Sequence, residues 1–141
     1  MKRFAALAFA LVLMAVAASC GGSSNTTAVT APTATTSTET FKGTVQANST
    51  DGSNTFVVTT AGNTVSVTLL SAGPPAGIVV YLGIGNPGAG GTCSLIQAPT
   101  LAQGSNTAQI TGTAAAGTFC IPVQEFQGIG PITYTVTVAH T

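Results

Sequence analysis

Tryptophan is absent from this 141-residue chain, histidine occurs once, and only six residues are Asp, Glu, Lys or Arg. Each shortage closes a class of function. Lys2, Arg3 and Lys42 are the whole cationic complement, whereas nucleic-acid binding needs clustered Lys and Arg to displace phosphate counterions. Nucleic acid is excluded as a partner, and a polybasic membrane patch with it. The acids Glu39, Asp51 and Glu125 stand apart from one another and from His140. They show neither zinc nor EF-hand spacing, so no metal ligand set and no cofactor is expected. The alternative is a calcium site assembled partly from backbone carbonyls in the glycine-rich loops. A Ser-His-Asp hydrolase would have to use His140 with Asp51, Glu39 or Glu125. A histidine beside the C-terminus is expected to fray, a poor position for a general base, so no catalytic residue is assigned. Wholesale disorder is excluded as well: 45% of the residues are hydrophobic, and the polar complement is Thr, Ser, Asn and Gln rather than charge.

What is present begins with a secretion pattern. Met1-Lys2-Arg3 precedes an apolar stretch from Phe4 to Ala18, and Ala17-Ala18-Ser19 leads into Cys20. This is a positive n-region, an apolar h-region and a small-residue cleavage site. The apolar run of about 15 residues falls short of the roughly 20 that a helix needs to cross a bilayer. Ala17-Ala18-Ser19-Cys20 resembles the lipobox of bacterial lipoproteins, although Ala17 stands where that family commonly has Leu. The resemblance implies cleavage before Cys20, diacylglycerol on its thiol and an acylated new N-terminus. Several acyl chains at one residue anchor stably, where a single chain binds marginally. The membrane, through this lipid, is then the first partner. Gly21 after the cysteine favours the outer membrane if the cell is Gram-negative, and the location is the bacterial cell envelope.

From Gly21 to Thr40 the chain is Gly, Ser, Asn, Thr, Ala and Pro, with Val29 and no periodicity that could bury a face. Residues 20–40 are expected to form a lipidated, disordered tether, with a coil reach of roughly 25 Å and an extended reach of roughly 65 Å. Alternation starts at Phe41 and runs to the end, so residues 41–141 form the folded domain. Phe41, Gly43, Val45 and Ala47 share a face. Phe56 and Val58 lead through Ala61-Gly62-Asn63, a hairpin signal, to Val65, Val67 and Leu69. Ile78, Val80, Leu82 and Ile84 read as one strand, Pro87–Gly91 as a loop and Cys93–Ile96 as a short segment. Ala108, Ile110 and Gly112 follow, then Phe119, Ile121 and Val123, and last Tyr134, Val136 and Val138. The fold class is all-β: an antiparallel sandwich or barrel of about eight short strands. Without Lys2 and Arg3, one lysine stands against three acids, a side-chain net charge of −2.

With Cys20 lipidated, Cys93 and Cys120 remain as a pair in an oxidising compartment, and a disulfide is expected. It closes a loop of about 28 residues and contributes roughly 3–4 kcal/mol in the chain-entropy account. Strand phase turns Cys120 away from Phe119, Ile121 and Val123, so the bridge is expected on the outer face or at a sheet margin. Gly83-Ile84-Gly85-Asn86-Pro87-Gly88 matches G-x-G-x-x-G. It lacks the helix start and the acid about 20 residues on that a dinucleotide site requires.

Phe41-Lys42-Gly43-Thr44-Val45, the segment Asn54–Val58 into Val65–Leu69, and Val79-Val80-Tyr81-Leu82 resemble the bacterial pre-peptidase C-terminal (PPC) domain. So do Ala116–Val123 and the closing Ile132–Val138. The resemblance implies a jelly-roll-like β-sandwich, a non-catalytic module commonly appended to exported proteases. The acids often found in that family's counterpart of Ile78–Tyr81 are missing, so no ion-binding role is carried over. Tyr81, out of phase with its buried neighbours, and Phe126, in a polar loop, are the candidate ligand contacts. The expected function is a non-enzymatic, lipid-anchored envelope module. The alternatives are a carbohydrate- or peptidoglycan-binding module and an accessory to a separately encoded exported enzyme; an envelope polysaccharide or protein is the expected partner.

Overall fold

β-Branched residues alternating with Thr and Ser build strands with one wet and one dry face. A computed structural model describes residues 35–141. The expected signal peptide (1–19), the lipidation of Cys20 and most of the expected tether lie outside the described residues. Twelve strands are formed: β1 (Ser37–Val45), β2 (Thr50–Asp51), β3 (Thr55–Val58), β4 (Asn63–Gly73), β5 (Val80–Leu82), β6 (Gly85–Pro87), β7 (Cys93–Leu95), β8 (Thr100–Ala102), β9 (Ile110–Ala114), β10 (Gly117–Cys120), β11 (Val123–Gln124) and β12 (Ile132–His140). A 3₁₀ turn at Ala89–Gly91 is the only helical element among the described residues.

The strands form a two-layer sandwich, antiparallel throughout. One layer has the order β1-β12-β4-β9. The other is interrupted: β2-β11-β5-β8 continues into β3-β10-β6-β7 with the strand order kept. Backbone bonds stitch the interruption, from Ile121 N–H to Asn54 (3.0 Å), Gly83 N–H to Pro122 (3.0 Å) and Ile96 N–H to Ile84 (3.1 Å). Pro122 has no N–H to give the ladder, which is one cause of the break. Counted as eight strand positions along the chain, the layers read 1-8-3-6 and 2-7-4-5. That is jelly-roll topology. The expected eight strands are therefore eight positions, four of them broken in two.

The two inner faces meet in one core. Val65, Val67, Leu69, Ile132, Val136 and Val138 come from the first layer, and Phe56, Val58, Val80, Leu82 and Val123 from the second. Tyr134 packs across Gly43, where a Cβ would collide with the phenol.

Several expectations are corrected. β3 and β4 do not form a hairpin; β3 pairs with β10, and β4 with β12 and β9. Each carries an inward apolar set, and these sets cover one another from opposite layers. The chain crosses between layers at residues 59–62, where Gly62 has φ +81° and its N–H bonds Ala114 O at 2.8 Å. The stretch Ile78–Ile84 is not one strand: β5 and β6 belong to different halves of the second layer, and β6 takes Pro87 from the expected loop. β1 starts at Ser37, inside the expected tether, because β12 offers partners as far as His140. Ala47 lies beyond the end of β1 and is exposed.

Candidate functional site

The break in the second layer opens a cleft on its outer face. Thr50, Gln124, Tyr81 and Leu101 stand side by side across β2, β11, β5 and β8 in exact register pairs. Beside this row lies a cleft of about 160 Å³, lined by Thr50, Tyr81, Gly83, Leu95, Pro122 and Gln124, among others. The Phe126 ring lies against Tyr81 with centroids 4.6 Å apart and planes tilted by 39°. Leu95, Leu101 and Phe126 are 45%, 57% and 37% exposed; Val57, Leu70, Ile96 and Ile129 are the other large apolar side chains exposed on the domain. Both candidate contacts from the sequence, Tyr81 and Phe126, are thus brought together; Leu101 and Gln124 join them through register alone.

The polar groups of this row are uncommitted. Among the described residues, no side-chain hydrogen bond engages Tyr81, Gln124 or Thr50. Three other glutamines of the domain are tied to backbone: Gln103 donates to Gly77 O (2.7 Å), Gln109 accepts from Leu69 N–H (2.8 Å) and Gln127 donates to Val79 O (2.8 Å), whereas Gln46 and Gln97, like Gln124, make no side-chain hydrogen bond among the described residues.

Glu125 sets the loop that carries Phe126. Its side chain is fully buried, yet it accepts backbone N–H bonds from Asn48 (2.7 Å), Gln127 (2.7 Å), Gly128 (3.0 Å) and Ile129 (3.4 Å). Asn48 reaches it from a left-handed conformation, φ 53°, which Asn tolerates better than most residues. The Asn48 bond, first, and then the loop N–H groups outweigh burial and hold this carboxylate below its ordinary pKa.

A second inward cluster lies at the end of β2. Tyr134 Oη donates to Asp51 Oδ2 at 2.5 Å and accepts from Asn54 Nδ2 at 2.6 Å. Ser53 donates to Asp51 Oδ1 through Oγ (2.6 Å) and N–H (3.0 Å). Burial alone would raise the Asp51 pKa, but the bonds from Ser53 and Tyr134 win and lower it. Burial and the neighbouring Asp51 push the Tyr134 phenol well up. Neither role was assigned from sequence; the nearest signal is that Tyr134 is the one tyrosine in phase with a core strand.

The Cys93–Cys120 bridge is formed, with Cα atoms 5.9 Å apart. It crosses over β6 at Gly85, where a Cβ would collide with Ser94 O and lie 2.9 Å from Cys93 Sγ. Cys93 is on the margin strand β7, and Cys120, opposite in phase to the core residue Phe119 as expected, is nonetheless fully buried. The segment around Gly52 covers that face, since a Cβ at Gly52 would come within 2.9 Å of Cys93 Cβ.

His140 is not frayed. It ends β12 on the inward side, 9% exposed, its ring 5.6 Å from Phe56 and its Nε2 3.1 Å from Glu39 Oε1. The three acids are dispersed: Glu39 is beside it, whereas Asp51 and Glu125 are held elsewhere. No group of three or more His, Cys, Asp or Glu among the described residues is placed to hold a metal ion.

Fold and site define a small jelly-roll β-sandwich with a neutral, aromatic-edged cleft on one face. No family model matches the chain and no curated protein matches it. Among solved structures it is similar to the crystal structure of Aeromonas hydrophila PliG, a periplasmic lysozyme inhibitor of g-type lysozyme. The identity is 21% over 74% of this chain and 86% of that one, with a TM-score of 0.49.

Proposed function

We propose that the protein is a non-enzymatic module of the bacterial cell envelope, lipid-anchored through Cys20, that contacts a partner with the outer face of its second layer. The observation that carries the contact reading is that Tyr81 and Leu95 line one cleft, with Phe126 packed on the Tyr81 ring and the exposed Leu101 beside Tyr81 on β8. Contiguous exposed apolar side chains on a monomer of this size commonly mark an interaction surface. The non-enzymatic reading rests on commitment of the titratable groups. Asp51 serves Tyr134 and Ser53, Glu125 serves four backbone N–H groups, and His140 faces Glu39 from inside the sandwich. The anchor reading rests on the lipobox-like Ala17-Ala18-Ser19-Cys20 alone. The resemblance to the PPC domain supports a second reading, in which the partner is a separately encoded exported enzyme.

Two measurements test this. The mature protein should begin at Cys20 and carry acyl mass, and Cys20→Ser should release it from membranes; an unacylated, soluble wild-type chain would overturn the anchor. A photo-crosslinking residue at Leu101 should give an adduct in intact cells, while one at Thr135, on the outer face of the other layer, should not. Equal labelling at both, or none at Leu101, would overturn the contact face.

A further inference from the structure

We infer that the ligand of this face is an uncharged sugar ring, seated on the Tyr81–Phe126 pair with its hydroxyls on Gln124, Thr50 and the Tyr81 phenol. The inference rests on the contact face proposed above and names its chemistry.

Three features of the site lead there. The first is the mixture of groups. Two aromatic rings 4.6 Å apart adjoin an amide and two hydroxyls that have no side-chain hydrogen bond among the described residues, in a single row. A pyranose presents that complement, with C–H faces for the rings and ring-edge hydroxyls for the polar groups. The second is charge. Asp51 and Glu125 turn inward, and Lys42 lies on β1 in the other layer. An anionic ligand would find no counter-charge here, nor would a cation. The third is the floor. β5 and β11 are each paired on both sides, so their N–H and C=O groups are spent within the sheet. An extended peptide, which binds a sheet largely through free backbone groups at an edge, gains nothing from the β5–β11 floor; a sugar needs none of them. The cleft of about 160 Å³ is also small beside the roughly 300–1,000 Å³ of sites for drug-sized molecules. It suits one ring of a chain whose neighbours lie along the face.

Glu125 is then a positioning residue: it touches no ligand, but the loop it organises holds Phe126 against Tyr81.

The test is saturation-transfer NMR on the full-length lipidated chain in a sugar-free detergent. The probes are maltotriose, cellotriose and N-acetylchitotriose, with a proline-rich peptide as a separate arm. The sugar arms distinguish a plain hexose polymer from an N-acetylated wall glycan as the source. At least one trisaccharide should give signal, strongest on its axial C–H protons. Its affinity should fall at least tenfold in Tyr81→Ala and in Gln124→Ala, with thermal melting of the latter unchanged. No signal from any trisaccharide, signal from the peptide alone, or full binding by Gln124→Ala and Tyr81→Ala would overturn the inference. Labelling at Leu101 in cells would still stand in that event, so failure of the sugar is distinguishable from failure of the contact face.

Discussion

Glu125 and Asn48 are 77 residues apart in the chain, yet the carboxylate accepts the Asn48 backbone N–H at 2.7 Å. This bond ties the turn before β2 to the loop after β11, and so closes one end of the half-sheet that carries the cleft. Glu125→Gln replaces an acceptor oxygen with a donor amide facing N–H groups. Its Tm should fall by on the order of 10 °C, measured by circular dichroism. Weaker sugar binding without loss of fold at 25 °C should accompany it.

The same carboxylate sets an acid limit. Its pKa is lowered in the folded state, as is that of Asp51. The stability each supplies is full above the unfolded carboxyl values of roughly 4 and is lost as pH falls through the lower folded values. Tm should therefore hold steady from neutral pH down to about 5 and drop below about 4. Glu125→Gln should flatten that drop; an unchanged slope would show that the loop bonds carry no linkage.

Tyr134→Phe removes one oxygen and strands two groups, Asn54 Nδ2 and Asp51 Oδ2. A loss of about 1–3 kcal/mol is expected from denaturant titration. The acid transition should also move to higher pH, because Asp51 loses a bond that favours its charged form.

Reduction of Cys93–Cys120 should cost roughly 3–4 kcal/mol and add two hydrogens to the intact mass. Gly85→Ala should disturb the same place, since its Cβ would collide with Ser94 O and crowd Cys93 Sγ. Gly112→Ala is the control: nothing lies within 4 Å of a Cβ there, and its effect should stay within about 0.5 kcal/mol.

The all-β fold, the outer hydroxyls and the disulfide were legible because alternation and cysteine count are local signals. Layer membership was not. Ala61-Gly62-Asn63 looks like a hairpin turn whether β3 and β4 pair or face one another, and only the competing partners β10, β12 and β9 decide. Glu125 shows the same limit from another side. As a lone acid in a polar loop it carries no motif, and its four partners are backbone groups, which every sequence has. Tyr81 and Phe126 were visible by phase and by loop position. Their contact, and the row through Gln124 to Thr50, depended on register. His140 was misread because proximity to the chain end says nothing of β1, which pairs Ser37 with it.

That pairing has a mechanical consequence. β1 is an edge strand, and the chain toward Cys20 leaves from its first residue, beside the last residue of β12. If the proposed anchor at Cys20 pulls on the chain before Ser37, the load meets the β1–β12 ladder at one end and is borne by one rung at a time, as in opening a zipper, not shared along the strand as in shear. The Glu39–His140 contact sits among the first rungs. The domain is therefore built to yield early and locally to a pull from its N-terminal side, with the cleft-bearing layer left intact while β1 peels.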